Sequence, residues 1–192
     1  ASKGGKTLSP QEVSQRVTRD GAVLGDLRDS AEVRKGHITD SLNIPLAQTD
    51  AVVLTHCHYD HTQGLAQILR AIGKRDVPVI AHPSLFRPNF ITAPFFRHVG
   101  VMQGDEPADV HAAGGCLFPV VGPLQLMPGL TTTGEVPRLT DFEEVGIALS
   151  TIDANGRVVP DTMPDDIAIE ARVKGCGTVI VTGCSHAGIV NI

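Results

Sequence analysis

The sequence predicts a layered α/β fold. An apolar, β-branched run at 50–55 leads into a loop, then a stretch with Leu65, Ile68, Leu69 and Ile72 at helical spacing, then a second apolar run at 76–81. Strand, helix and strand in that order form the unit from which helix-covered sheets are built. Nearer the carboxyl end, runs at 145–150, 167–173 and 177–181, separated by turn residues, read as successive strands. The chain has 192 residues, 42% hydrophobic and 19% charged, a composition that suits a folded domain with a sizeable core.

Residues 1–49 read as helix, strand, helix and an extended turn. Ser9 and Pro10 open a short helix through Val17, the serine as cap and the proline in the first turn. A-V-L-G-D-L, from Ala22, is a short buried strand, and 30–35 is a second helix that Gly36 stops in a left-handed conformation. H-I-T-D-S-L-N-I-P-L then runs extended to Leu46. The strand D-A-V-V-L-T begins at Asp50, Gly73 ends the helix that follows it, and D-V-P-V-I-A closes at His82-Pro83. From 84 to 141 the pattern is loose and rich in proline and glycine, with one phenylalanine-bearing patch, L-F-R-P-N-F-I-T-A-P-F-F, that suits a lid or pocket wall. A-N-G at 154–156 marks a turn, and the last strand runs into Gly183-Cys184-Ser185-His186. No internal repeat is evident.

Several partner classes lose support. A formal charge of -5 gives no electrostatic reason to expect a nucleic-acid backbone, and with no tryptophan and one tyrosine, platforms for stacking bases are scarce. No run approaches the length of a membrane helix, and the opening A-S-K-G-G-K-T-L-S-P lacks the apolar core of a signal peptide. The four cysteines, Cys57, Cys116, Cys176 and Cys184, form no C-x-x-C pair, which suits reduced thiols in a cytoplasmic setting. A small-molecule substrate is the expected partner, and self-association is a way to cover strand edges.

The chemistry concentrates in T-H-C-H-Y-D-H-T-Q-G, 55–64, which packs three histidines and an aspartate into six positions between a strand and a helix. Neutral imidazole nitrogen and carboxylate oxygen are donors for zinc and iron. The spacing supplies two groups, His56 with His58 and Asp60 with His61, suited to one or two divalent metals. His186 is the leading further donor because it too follows a strand; His82 also follows one, with Pro83 directly after it. Cys57 and Cys184 lie beside candidate donors, and strand alternation is read as sending both thiols away from the pocket into packing. Arg87 and Arg97, flanking the phenylalanine patch, are candidate anion donors.

T-H-C-H-Y-D-H resembles the His-x-His-x-Asp-His signature of the metallo-β-lactamase superfamily. Over 50–192, V-I-A-H-P, T-T-G-E-V-P-R and V-I-V-T-G-C-S-H-A-G-I-V-N resemble its dihydropterin-ribofuranosylaminobenzene 5'-phosphate synthase-like branch. The resemblance implies an αββα sandwich of two mixed sheets with helices outside, truncated at both ends relative to the family. It implies His56 and His58 on a first metal, Asp60 and His61 on a second, His186 as a further ligand and Glu135 in the pocket wall. Zinc is the first choice of metal, with iron or manganese as alternatives. The expected activity is that of a metal-dependent hydrolase, in which a metal-activated hydroxide attacks a small, phosphorylated substrate and Asp60 orients it.

The leading segment carries a different resemblance. L-S-P-Q-E-V and A-V-L-G-D-L-R-D-S-A-E-V-R-K-G-H-I-T-D-S-L-N-I-P-L, 8–46, resemble part of a rhodanese-like domain, which implies structural roles for Asp26, Arg28 and His37. Two alternatives to the hydrolase follow: a sulfurtransferase or persulfide-handling protein using Cys57, and a catalytically inactive metal-binding fusion.

Overall fold

The computed structural model describes residues 25–26, 29–36, 42–145 and 147–192. These fall into two compact units, residues 1–49 and 50–192. In the first, a two-residue strand β1 (Gly25–Asp26) pairs in parallel with β2 (Leu42–Asn43). Between them a single-turn helix α1 (Ser30–Val33) is capped by Asp29, whose carboxylate accepts the N–H groups of Ala31 and Glu32 at 2.8 and 3.0 Å. Gly36 follows at a positive φ of 153°, a backbone conformation that favours glycine. The expected helix at 9–17, and Arg28 and His37, lie outside the described residues.

The second unit is built on a parallel sheet. Strands β3 (Val52–Val53), β4 (Val77–Ala81) and β7 (Gly115–Pro119) lie in the order β3-β4-β7. β3 is shorter than its apolar run suggested, although the Leu54 N–H still donates to the Ile80 carbonyl at 2.9 Å. After the first two histidines of that segment, two helices connect β3 to β4: α2 (Tyr59–Thr62) and α3 (Leu65–Ile72). Gly64 separates them with φ at 94°, and Gly73 ends α3 in a left-handed conformation at 70°, as expected. Leu65, Ala66, Leu69 and Ile72 form the buried face of α3, while Ile68 turns outward. A third helix, α4 (Pro107–Ala112), buries Val110. A side chain at Gly115 would overlap Leu69 and Val110, so glycine at the start of β7 lets both helices close on the sheet.

Two antiparallel sheets complete the unit. One has the order β11-β10-β5-β6, from β5 (Phe90–Ile91), β6 (Arg97–His98), β10 (Leu149–Ile152) and β11 (Val158–Pro160). The other has the order β13-β12-β9-β8, from β8 (Leu124–Met127), β9 (Leu130–Thr132), β12 (Ile169–Val173) and β13 (Gly177–Val181). The A-N-G turn joins β10 to β11, with the Asp153 carboxylate accepting the Asn155 and Arg157 N–H groups and Gly156 at φ 76°. β13 is an edge strand exposed along its whole length.

Residues 84–141 are therefore more ordered than their composition suggested, holding β5 to β9 and α4. Among the described residues no helix is long and apolar enough to cross a membrane. The fold is α/β, with parallel and antiparallel sheets side by side. The carboxyl ends of β3 and β4 lead directly into His56 and His82, the edge at which helix-covered parallel sheets gather their ligands.

Candidate metal centre

His56 and His58 stand where β3 opens into the loop before α2, and His186 stands in the turn after β13. The structure brings all three together: one donor atom from each lies within 4.8 Å of the others. The ring centroids are 4.8 Å apart for His56 and His58, 5.0 Å for His56 and His186, and 4.8 Å for His58 and His186. Their interplanar angles, 75° to 88°, turn ring edges inward instead of stacking faces. His56 is fully buried and His58 nearly so. The Nε2 atom of each of the three is buried without a hydrogen-bond partner. Buried polar atoms are rarely left so. Three converging imidazole nitrogens with vacant lone pairs are the donor set a zinc-like cation takes.

Two adjacent carboxylates that sequence reading passed over hold the loops in place. Asp165 is fully buried and accepts the Cys57 N–H at 2.6 Å, between the first two histidines. Asp166, also buried, accepts the Ala187 N–H at 2.6 Å, just beyond the third. The Ile167 N–H donates to the Thr55 carbonyl at 2.9 Å. Farther along, Asn191 donates to the Ala187 carbonyl at 2.8 Å and accepts the Leu139 and Thr140 N–H groups at 2.9 Å each. The only signal in the sequence was a buried-strand precursor carrying two consecutive acids, P-D-D at 164–166, which reads equally as a solvated turn.

Arg87 joins this support. Its guanidinium donates to Asp161 from Nε and Nη2 at 2.7 and 2.9 Å, and its Nη1 lies 2.7 Å from Asp165. Both carboxylates are buried, and Asn89 adds a 2.6 Å hydrogen bond to Asp161. Burial opposes ionisation of both acids. At Asp161 the guanidinium hydrogen bonds overcome it and hold the pKa below the ordinary value, whereas at Asp165 burial prevails and the pKa stands above it. Arg87 is thus engaged inside the protein, unlike the free anion donor its sequence position suggested.

Burial pushes the His56 pKa down to about 2, helped by the charges of His61, His58 and His186. Burial, then His186, brings His58 down to about 4, and burial lowers His186 despite Asp166 and Asp165. At neutral pH all three are the uncharged form that donates to metals. In the unfolded chain their ordinary pKa is 6.5. Above that value neither state carries the proton and the full stability is present. As pH falls, the unfolded chain takes protons first, so stability is lost progressively as pH drops through the folded values. The metal-free protein should therefore show a falling urea midpoint from pH 6.5 down to about 4. His58→Gln should make that decline shallower.

The remaining candidates divide. His61, 28% exposed, has its Nε2 3.1 Å from the Cys184 sulfur and 3.8 Å from the carboxylate of Asp60, which is 62% exposed. The centroids of His56 and His61 are 4.2 Å apart, and His56, His61 and Cys184 form a second group able to hold a metal. Asp60 sits at the rim of this group and outside both donor sets found among the described residues. Cys184 is exposed and faces the site, contrary to the packing role expected of it. Alternation does not reach that far: β13 ends at Val181, and Ser185 at φ 53° puts 182–186 in a turn. Cys57, between His56 and His58, does turn inward and is fully buried. Burial and then Asp165 push its thiol pKa well above the ordinary range, the opposite of the accessible thiolate a sulfurtransferase needs.

His82 is buried, hydrogen-bonded through Nδ1 to the Ser84 hydroxyl at 2.7 Å, with Nε2 3.6 Å from the Glu135 carboxylate. Neither residue belongs to the donor groups found among the described residues. Glu135 is half-exposed and follows Gly134, whose φ of 68° and close approach to Val121 and Gly122 leave no room for a side chain. Arg97 donates to the Tyr59 hydroxyl at 2.9 Å and lies 5.2 Å from its ring centroid, beside the helix that carries Asp60 and His61.

Comparison with known proteins agrees with this geometry. The family model of the beta-lactamase superfamily domain matches residues 36–185. A curated relative from Methanocaldococcus jannaschii, 7,8-dihydropterin-6-methyl-4-(beta-D-ribofuranosyl)-aminobenzene-5'-phosphate synthase, is 38% identical over 154 residues, covering 79% of this chain and 51% of the relative. An uncharacterized protein of the same organism is 30% identical over 146 residues, 74% of this chain and 50% of its own. The chain thus spans about half the length of the curated relatives it matches. The solved structure of a metal-dependent hydrolase of the beta-lactamase superfamily superposes with a TM-score of 0.59 at 20% identity, over 78% of this chain and 50% of that one. The rhodanese-like reading of 8–46 gains no support, since the family match begins inside that segment and the described part shows no sign of a separate rhodanese fragment. With the family match spanning most of its length, the chain belongs to the β-lactamase superfamily.

Proposed function

We propose that this chain carries the metal centre of a metal-dependent hydrolase acting on a small, phosphorylated substrate, within an αββα sandwich. The observation that carries the reading is the meeting of three buried, partnerless imidazole nitrogens from two separate strand ends. The 38% identical relative, whose name specifies a 5'-phosphate compound, supports the substrate class. The superposed hydrolase supports the architecture.

In this reading His56, His58 and His186 hold a divalent cation, zinc first, with iron or manganese as alternatives. When bound, the cation supplies Lewis acidity, enough to bring the pKa of a neighbouring water from about 15.7 to about 7. Asp60, exposed at the rim 3.8 Å from His61, would help hold a second ion with His61 and orient the attacking water. His61 lies between Asp60 and the buried histidines. The His82–Glu135 pair forms a polar wall, and Arg97, fixed against Tyr59, offers a cation to the substrate phosphate. Asp165 and Asp166 act through the loops and leave the substrate untouched.

A second reading, a synthase, is favoured by the name of the same relative. One experiment separates the two. Protein reconstituted with zinc is assayed on a chromogenic phosphodiester and a lactone. Turnover that disappears with chelator and in Asp60→Asn is the expected result. Stoichiometric metal with no turnover of either substrate would favour the synthase.

A further inference from the structure

An exposed strand at the edge of a sheet offers a row of unpaired backbone N–H and C=O groups, and folded proteins blunt such edges with charge, proline, bulges or shortness. Among the described residues of the second unit, every sheet edge but one follows that rule. β3 and β6 are two residues long, and β6 consists of Arg97 and His98. β11 and β7 end in Pro160 and Pro119, and β8 shifts register between Gln125 and Met127. The exception is β13. Its five residues, G-T-V-I-V, are uncharged and free of proline, pair with β12 in unbroken register and are all exposed. We propose that a second copy of this chain occupies this edge, with β13 pairing antiparallel to its own counterpart about a two-fold axis at Val179.

The side-chain pattern selects both the partner and the register. On one face, β12 and β13 set Ile169 beside Val181, Ala171 beside Val179 and Val173 beside Gly177. On the other they set Glu170 beside Ile180 and Arg172 beside Thr178. Directly opposed residues of an antiparallel pair share a face. An axis at Val179 therefore sets Val179 against itself, Val181 against the second copy's Gly177, and Ile180 against its Thr178. Three rows across the joined sheets are then wholly apolar. Each of the two remaining rows runs from Glu170 of one copy to Arg172 of the other, so like charges never meet. A slip of one residue would run the apolar face of one copy into the polar face of the other.

Pairing also covers the outer flanks of Val179, Ile180 and Val181, which are 41%, 41% and 56% exposed. The contact uses the same patch on both copies, so it closes at two and leaves no edge of this kind to continue a fibre. Because the paired strands run in opposite directions, the two turns that carry His186 lie at opposite ends of the joined pair.

Sedimentation velocity from about 1 to about 200 µM tests this. Wild type should sediment as a dimer at the upper concentrations. Val179→Lys and Val179→Glu each set two like charges against one another across the axis. Each should raise the dimer dissociation constant by about 100-fold or more and sediment as a monomer with the wild-type circular dichroism. An equimolar mixture of the two should recover the dimer, which a misfolded variant could not do. Met127→Lys, at a position 57% exposed on β8 at the far edge of the same sheet, should leave the dimer as in wild type. A wild type that stays monomeric up to about 200 µM would overturn the proposal and give the edge to a strand of a different protein. A dimer that survives both Val179 substitutions, a mixture that stays monomeric, or a dimer lost through Met127→Lys would each overturn it too.

Discussion

His58→Ala (H58A) is expected to reduce bound zinc from a stoichiometric amount to less than about a tenth of an equivalent after gel filtration. His58 lies at the head of α2, 6% exposed, with its Nε2 aimed at the other two donors and no other partner for it to satisfy. Loss of groups that merely orient metal ligands costs about 10–100-fold in affinity, and loss of a donor should exceed that. A 100-fold excess of ligand over its dissociation constant stabilises a protein by about 2.7 kcal/mol. At this chain length that corresponds to about 5–10 °C in melting temperature. Zinc should therefore raise the melting temperature of the wild type and leave that of the variant unmoved. Equal zinc content in both would remove the centre from His58.

Arg87→Ala (R87A) is expected to be the most destabilising single change described here. The substitution leaves Asp161 and Asp165, 1% and 0% exposed, without the guanidinium that contacts both. Removing one member of a buried pair costs about 3–5 kcal/mol, because the remaining charge is left uncompensated. The Lys74–Asp50 pair gives the contrast. At 3.3 Å, with side chains 41% and 94% exposed, it should contribute less than about 1 kcal/mol. Urea midpoints of R87A and of Asp50→Asn would show the difference directly. Arg87→Lys should fall between, since an ammonium cannot serve two carboxylates in the forked geometry seen here. Because Asp165 also holds the His56–His58 loop, R87A should weaken zinc binding as well, although Arg87 touches no donor.

The parts of this protein visible in its sequence are those fixed by local rules. The strand, loop and helix around 50–73 could be read because β-branched residues, a donor cluster and a helical apolar face follow one another without interruption. Gly73 fell where a left-handed stop was needed. That His56, His58 and His186 would come together was legible for the same reason: each follows a strand. What escaped was set by contacts distant in sequence. β7 is a five-residue strand that ends in proline and shows no periodicity, so only its pairing with β4 identifies it. Asp165 binds Cys57 across 108 residues, and Arg87 binds Asp161 across 74. No local pattern announces such partners, and Arg87 in particular looked like a surface cation. Cys184 was a different failure: strand alternation was extended past Val181, where the chain has already turned.

The tandem Asp165-Asp166 has a consequence for how the centre is held. Neighbouring α-carbons across a trans peptide are fixed at about 3.8 Å. One of the two acids grips the loop that bears His56 and His58, and the other grips the loop that bears His186. Both halves of the cradle are thus anchored on neighbouring residues joined by one planar peptide unit.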